Sequence, residues 1–204
     1  MLKYYYGVMG SGKSAKIIDY YNKHKGTVCL KLKFEKEFSD VIHSRNGKSV
    51  PCINFDIDTD LIQLYLDIPS MNKAKTLIVD EVQFCSDSQI KELEKISHSM
   101  DVLCFGLLRN NDGTLFSSTK KLLELSDYVK ELPRKCVCCN KEDATVSRRY
   151  VLTGFGKYWQ NNTIFIGPVL SSKNTKYLSM CNECARKYLE FTPKEINNIL
   201  KEVM

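Results

Sequence analysis

Gly7-Val8-Met9-Gly10-Ser11-Gly12-Lys13-Ser14 fits the pattern G-x-x-x-x-G-K-[ST], the loop that cradles a polyphosphate. Its flanks fit as well. Leu2 to Val8 (LKYYYGV) is rich in aromatic residues and reads as a buried strand. Lys13 to Lys25 places Ile17, Ile18 and Tyr21 on one helical face. A strand, a glycine loop and a helix in that order predict a P-loop nucleotide-binding α/β fold. The chemistry explains the residue types. Glycines let consecutive backbone N–H groups turn inward around the phosphates. The helix adds its free amides and the positive end of its dipole. Lys13 is expected on the β and γ phosphates of a nucleoside triphosphate, and the Ser14 hydroxyl on Mg²⁺.

A second nucleotide signal lies at Lys75 to Glu81 (KTLIVDE). Leu77-Ile78-Val79 is a continuous apolar run, as expected of a strand buried on both faces. It ends in Asp80-Glu81, at the carboxyl end of a parallel strand, where open α/β sheets bind ligands. Asp80 is the expected Mg²⁺ carboxylate. Glu81 is placed to take a proton from an attacking hydroxyl or water.

Between and after these signals the chain alternates in the α/β manner. Thr27 to Leu32 reads as a second parallel strand, and Lys33 to Gly47 as a polar segment with a loop at Ser44 to Gly47 and the turn at Gly47. Ser49 to Phe55 reads as a short edge strand, because Pro51 bars it from a central position. Asp60 to Ile68 and Ser88 to Met100 have helical apolar spacing, and Asp101 to Leu107 reads as a buried strand. Leu108 to Phe116 is a loop, Lys120 to Lys130 is helical, and Pro133 marks a boundary. The expected division is 1–133 for the nucleotide-binding domain and 134–204 for a smaller one.

Length and composition agree with this reading. A chain of 204 residues can bury one α/β core plus an appendage. Its 43% hydrophobic and 26% charged content is ordinary for a globular protein. The net charge of +6 is spread along the chain rather than gathered in a stripe, so solubility explains it as well as anionic ligands do. No apolar run is long enough to span a bilayer and no leader pattern opens the chain, so a cytoplasmic protein without membrane partners is expected.

Five of the nine cysteines fall in two clusters, Cys136-Val137-Cys138-Cys139 and Cys181-Asn182-Glu183-Cys184. Two C-x-x-C knuckles supply four thiolates, enough for a closed tetrahedral Zn²⁺ site. Cys136 with Cys139 is the standard first pair, and Cys136 with Cys138 the alternative. The knuckles stand farther apart than the roughly 15–20 residues of a zinc ribbon. The segment between them, rich in glycine and aromatics, reads either as a flap over a ligand or as a hairpin that fills space. Cys29, Cys52, Cys85 and Cys104 lie singly in apolar surroundings and read as core.

Together these pieces resemble the type II thymidine kinases of bacteria, vertebrate cytosol and poxviruses. The resemblance rests on G-V-M-G-S-G-K-S, I-H-S-R-N-G at Ile42 to Gly47, D-E-V-Q-F at Asp80 to Phe84 and V-L-C-F-G-L at Val102 to Leu107. Further matches are Phe116, A-T-V-S-R-R at Ala144 to Arg149, Ile166-Gly167 and K-Y-L-S-M-C-N-E-C at Lys176 to Cys184. It implies a RecA-like parallel sheet flanked by helices, with a small zinc-binding lasso domain. It implies transfer of the ATP γ-phosphoryl group to the 5′-hydroxyl of thymidine, inhibition by dTTP and a homotetramer.

By the same resemblance Glu81 is the general base, and Lys13, Ser14, Asp80 and Gln83 serve ATP and Mg²⁺. The lasso would read thymine near Thr163, Ile164, Phe165, Ile166 and Gly167, with Tyr177 near the sugar and base. Met9, Leu107 and Ser147 match the methyl pocket, and Phe84 and Phe116 its aromatic walls. Cys136, Cys139, Cys181 and Cys184 would hold structural Zn²⁺. The chain departs from the family pattern in three places. Phe34-Glu35-Lys36 stands where Asp-x-Arg is usual, Leu108 to Asp112 lacks an Asp-Phe pair, and Gly167 to Tyr177 is longer than usual.

Two other classes fit parts of the pattern. A nucleic-acid-dependent ATPase with a zinc ribbon would share the P-loop, carboxylates and knuckles, but the knuckle region lacks a dense Lys/Arg stripe and no second motor domain follows. A non-catalytic nucleotide-binding regulator would have no need of Glu81 beside Asp80.

Overall fold

The computed structural model describes residues 1–33, 40–161 and 174–201. They divide into two compact units. Met1–Tyr6, Gly12–Leu108 and Leu115–Leu132 form the first; Gly7–Ser11, Arg109–Thr114 and the described part of Pro133–Met204 form the second. Among the described residues no helix is long and apolar enough to cross a membrane.

The first unit runs β1 (Leu2–Tyr6), α1 (Lys13–Lys23), β2 (Thr27–Leu32), β3 (Val41–His43), β4 (Ser49–Pro51), β5 (Ile53–Phe55), α2 (Leu61–Asp67), α3 (Pro69–Asn72) and β6 (Thr76–Asp80). A 3₁₀ turn over Val82–Phe84 follows, then α4 (Asp87–Ile96), β7 (Asp101–Gly106), α5 (Ser117–Leu125) and β8 (Tyr128–Glu131). Six strands make one parallel sheet in the order β5-β2-β6-β7-β1-β8. All five residues of β6 are buried, which explains its unbroken apolar run. Ile17 and Ile18 of α1 pack with Cys29, Ile78, Leu103 and Phe105 of the sheet. Strand alternation turns Leu77, Val79, Val102 and Cys104 to the other face, and all four are fully buried. Ser86 and Gln89 close a capping box that starts α4, each accepting from the other's backbone N–H.

Two sequence expectations need correction here. The polar stretch Lys33 to Gly47 contains a strand, β3, which pairs antiparallel with β4. Its Ile42 and the Val50 opposite are buried against α1, so two apolar residues in register suffice to fix a hairpin. Gly47, at φ +80°, makes the turn. The helix expected to run to Lys130 stops at Leu125, and Tyr128–Glu131 instead pairs with β1. All four residues of β8 are exposed, so only backbone pairing makes it a strand and no apolar period marks it. Asp127 begins that pairing by accepting from the Leu2 N–H at 2.7 Å.

The second unit holds β9 (Val146–Leu152), β10 (Tyr158–Gln160), β11 (Thr175–Met180), α6 (Asn182–Lys187), β12 (Glu190–Phe191) and α7 (Pro193–Lys201). Its four strands form an antiparallel sheet in the order β11-β9-β10-β12. The described part of the segment between the cysteine pairs is thus a hairpin and a returning strand. Gly156 at φ +71° allows its tight turn. Tyr150, fully buried, anchors the core: its hydroxyl donates to the Tyr188 carbonyl at 2.6 Å, and its ring meets Phe191 edge-on at 5.1 Å.

Candidate active site

In the first unit the catalytic candidates follow from strand direction. Parallel strands bring every carboxyl end to one sheet edge. β7 separates β1 from β6, so the strand that feeds the glycine loop and the strand that ends in Asp80 are one strand apart. Gly12, at φ +84°, turns the chain into α1 and leaves its first turn without a side-chain cap or an acidic residue. The open amides and positive dipole there suit an anion. Lys13 is buried at the first helical position, and its charge acts on Asp80.

Asp80 is 4% exposed. Burial, and next the charge of Glu81, push its carboxyl up to about 7, while Lys13 and Lys31 pull the other way. Lys31 sits opposite Asp80 in the register of β2 with β6 and escaped the sequence reading, because nothing in its own strand marks it. A carboxyl raised in the folded state keeps a proton that the unfolded chain releases. Stability is therefore lost as pH rises from about 4 to about 7. Asp80→Asn should abolish that loss, raising Tm by a few degrees at pH 8 without nucleotide or divalent ions and leaving it nearly unchanged at pH 4. Thermal scans at both pH values check it; a lower Tm for Asp80→Asn at pH 8 would contradict it.

Glu81 has φ +54° and ψ +33°, the left-handed region, which costs a non-glycine residue about 1–2 kcal/mol. Its N–H donates to Asp80 Oδ1 at 3.0 Å, and its carbonyl accepts from the Phe84 N–H at 3.1 Å to start the 3₁₀ turn. The turn presents Gln83, whose Nε2 donates to Glu81 Oε2 at 2.5 Å while its Oε1 accepts from the Leu107 N–H at 2.9 Å. Phe84 and Phe116 meet edge-to-face with centroids 5.8 Å apart. Leu107 is buried at the end of β7, and its carbonyl accepts from the Tyr4 hydroxyl at 3.0 Å. Lys13, Asp80, Glu81, Gln83, Phe84, Leu107 and Phe116 are thereby all placed in the first unit, around the ends of β6 and β7 and the start of α1 and α5.

The second unit holds the front of the glycine loop. The Met9 N–H donates to Ser147 Oγ at 2.9 Å; the Met9 carbonyl accepts from Ser179 Oγ at 2.6 Å and from Arg134 Nη1 at 3.3 Å. Ser147 of β9, expected at a methyl pocket, thus accepts with its hydroxyl oxygen from the loop backbone. Ser179 and Arg134 were missed in the sequence, since nothing local ties them to a residue so far upstream. Ser11 Oγ in the same loop is buried and finds no hydrogen-bond partner among the described residues. Tyr177 lies half-buried on β11 opposite Arg149, and burial raises its phenol above the usual value. Thr163, Ile164, Phe165, Ile166 and Gly167, like Phe34-Glu35-Lys36, lie outside the described residues.

The sulfur atoms of Cys136, Cys139, Cys181 and Cys184 all lie within 4.8 Å of one another. A tetrahedral Zn²⁺ with Zn–S near 2.3 Å needs sulfurs about 3.8 Å apart, so the set fits the ion. Backbone N–H groups of Glu142 and Lys141 hold the Cys139 thiol down to about 6, whereas burial pushes the Cys184 thiol of the same set up. Cys138 stands outside the set, and burial pushes its thiol up to about 12. The geometry therefore favours Cys136 with Cys139 over the alternative pair.

A parallel α/β sheet with a glycine loop and adjacent carboxylates at its carboxyl edge defines a P-loop enzyme that acts on nucleoside triphosphates. The sequence model of the thymidine kinase family matches residues 1–185, and the chain belongs to that family. It is similar to the thymidine kinase of Photorhabdus laumondii, 28% identical over 89% of this chain and 90% of that protein. The thymidine kinase of Shewanella oneidensis is 28% identical over 92% and 97%, and that of Streptococcus gordonii 29% identical over 97% and 98%. Among solved structures, the Pif1 helicase from Candida albicans aligns with 65% of this chain and 36% of its own, with TM-score 0.37 and 12% identity.

Proposed function

We propose that this protein transfers the γ-phosphoryl group of ATP to the 5′-hydroxyl of thymidine, and also of deoxyuridine, in cytoplasmic nucleotide salvage. The observation that carries the reading is Asp80-Glu81 at the end of β6, with Glu81 hydrogen-bonded by Gln83, in a chain of the thymidine kinase family. Glu81 would take the 5′-hydroxyl proton as the oxygen attacks the γ-phosphorus. Lys13 would offset charge on the phosphates, and the backbone of Gly7, Val8, Met9, Gly10, Ser11 and Gly12 would cradle them. Asp80 and Ser14 would hold Mg²⁺, which supplies charge neutralisation when bound. By the family resemblance, the contacts to the base would come from Phe84, Phe116, Leu107, Met9, Ser147, Tyr177 and Thr163 to Gly167.

We place the kinase domain at 1–133 and the lasso domain at 134–204. Zn²⁺ on Cys136, Cys139, Cys181 and Cys184 would be structural, because four protein thiolates leave no open position for a substrate. Assembly as a homotetramer and inhibition by dTTP belong to the same reading.

A nucleoside panel with ATP and Mg²⁺, following 5′-monophosphate formation, tests it. Thymidine and deoxyuridine should be phosphorylated and purine nucleosides should not. ATP hydrolysis that rises with DNA or RNA, with no nucleoside phosphorylated, would overturn the reading in favour of a nucleic-acid-dependent ATPase.

A further inference from the structure

Gln83 is 3% exposed, yet both ends of its amide are used. Nε2 donates to Glu81 Oε2 at 2.5 Å, and Oε1 accepts from the Leu107 N–H at 2.9 Å. The partners settle the orientation. A backbone N–H can only donate and a carboxylate can only accept, so a flipped amide would set donor against donor and acceptor against acceptor. The backbone of Gln83 is pinned as well, since the buried Ser118 Oγ donates to its carbonyl at 2.7 Å. Gly106 leaves room for this arrangement. A Cβ there would lie 2.5 Å from Gln83 Oε1 and 3.2 Å from the Gln83 backbone nitrogen.

Glu81 needs such a brace. Its backbone is held in the left-handed region, and no other residue is shown donating to its carboxylate among the described residues. A carboxylate free to swing would sample geometries in which it cannot meet the 5′-hydroxyl. Misplacement by about 1 Å can cost about 10²-fold in rate.

We infer that Gln83 is a positioning residue. It cross-braces the carboxylate of Glu81 to the end of β7, and thereby fixes the base relative to Leu107. This rests on the reading of Glu81 as the general base and adds to it a residue that acts on turnover through Glu81 rather than through nucleotide binding.

Gln83→Met keeps length and apolar volume but loses both hydrogen bonds. In the full-length protein it should lower kcat for thymidine phosphorylation by about 10–100-fold, with KM for ATP and thymidine within about twofold of wild type. In a Glu81→Gln background the same change should lower kcat no further, because the group it positions is already gone. An unchanged kcat, a raised KM for ATP with kcat kept, or a full additional loss in the Glu81→Gln background would each overturn the proposal. If Gln83→Met does not fold, Gly106→Ala takes its place. It leaves every polar group present, but its Cβ would meet Gln83 Oε1 at 2.5 Å and Val82 Cγ1 at 3.0 Å and push the amide aside, so it should lower kcat in the same way, and a wild-type kcat would overturn the proposal. The underlying reading fails separately, if the wild type does not phosphorylate thymidine or if Glu81→Gln remains fully active.

Discussion

Glu81→Gln should lower kcat by about 10²–10⁴-fold, the usual worth of a general base, while leaving ATP binding within about twofold of wild type. The substitution is close to isosteric. The new amide oxygen can still accept from Gln83 Nε2, so the brace and the 3₁₀ turn survive. What disappears is the capacity to take a proton at neutral pH. Lys13 and the glycine loop, the proposed phosphate contacts, are untouched, so ATP binding should be kept. The variant should also be no less stable than wild type without ligands. The charge of Glu81 is the second cause, after burial, of the raised Asp80 carboxyl, and removing it relieves that strain. Turnover, calorimetric ATP binding and Tm measured together separate the cases. Lost kcat with kept affinity and kept Tm is the expected pattern. An unchanged kcat would remove Glu81 from the mechanism.

The parts of this site that were legible in the sequence are those whose physics is local. The P-loop is a run of eight residues flanked by a strand and a helix, and β6 is a short apolar stretch that ends in two carboxylates. The cysteine pairs announce themselves by spacing, and the structure then separates Cys139 from Cys138. What stayed hidden depends on partners far along the chain. Ser179 reaches a carbonyl 170 residues upstream and Arg134 one 125 upstream. Gln83 reads in the sequence only as a group serving ATP and Mg²⁺, and its bond to a backbone amide 24 residues on is not visible there. No window of periodicity contains such pairs. β8 was hidden for another reason: an exposed edge strand is made by backbone pairing alone, and its side chains carry no apolar period.

Those long-range bonds give the second large prediction its content. Cys181→Ser should lose bound zinc and unfold or loosen the second unit. Cys136, Cys181 and Cys184 belong to its buried core together with Tyr150, Leu178 and Met180, so the cysteine cluster and the hydrophobic core are one structure. A structural zinc site contributes on the order of 10 kcal/mol in small domains, more than so small a core can replace. The consequence reaches the phosphates. Ser147 and Ser179 hold the Met9 peptide from β9 and β11, which pair through Ser179 with Ser147 and Met180 with Val146, next to Cys181. Once that pairing loosens, the front of the glycine loop loses its mooring and ATP affinity should fall by at least tenfold. Zinc content, Tm and ATP binding measured on Cys181→Ser check the chain of events. Ser179→Ala isolates its last link, because it should keep zinc and still weaken ATP binding, by about 2–10-fold for one hydrogen bond. Cys181→Ser that retained stoichiometric zinc and wild-type Tm would refute the metal assignment. Ser179→Ala with unaltered ATP affinity would leave zinc as a purely local fastening, without purchase on the nucleotide loop.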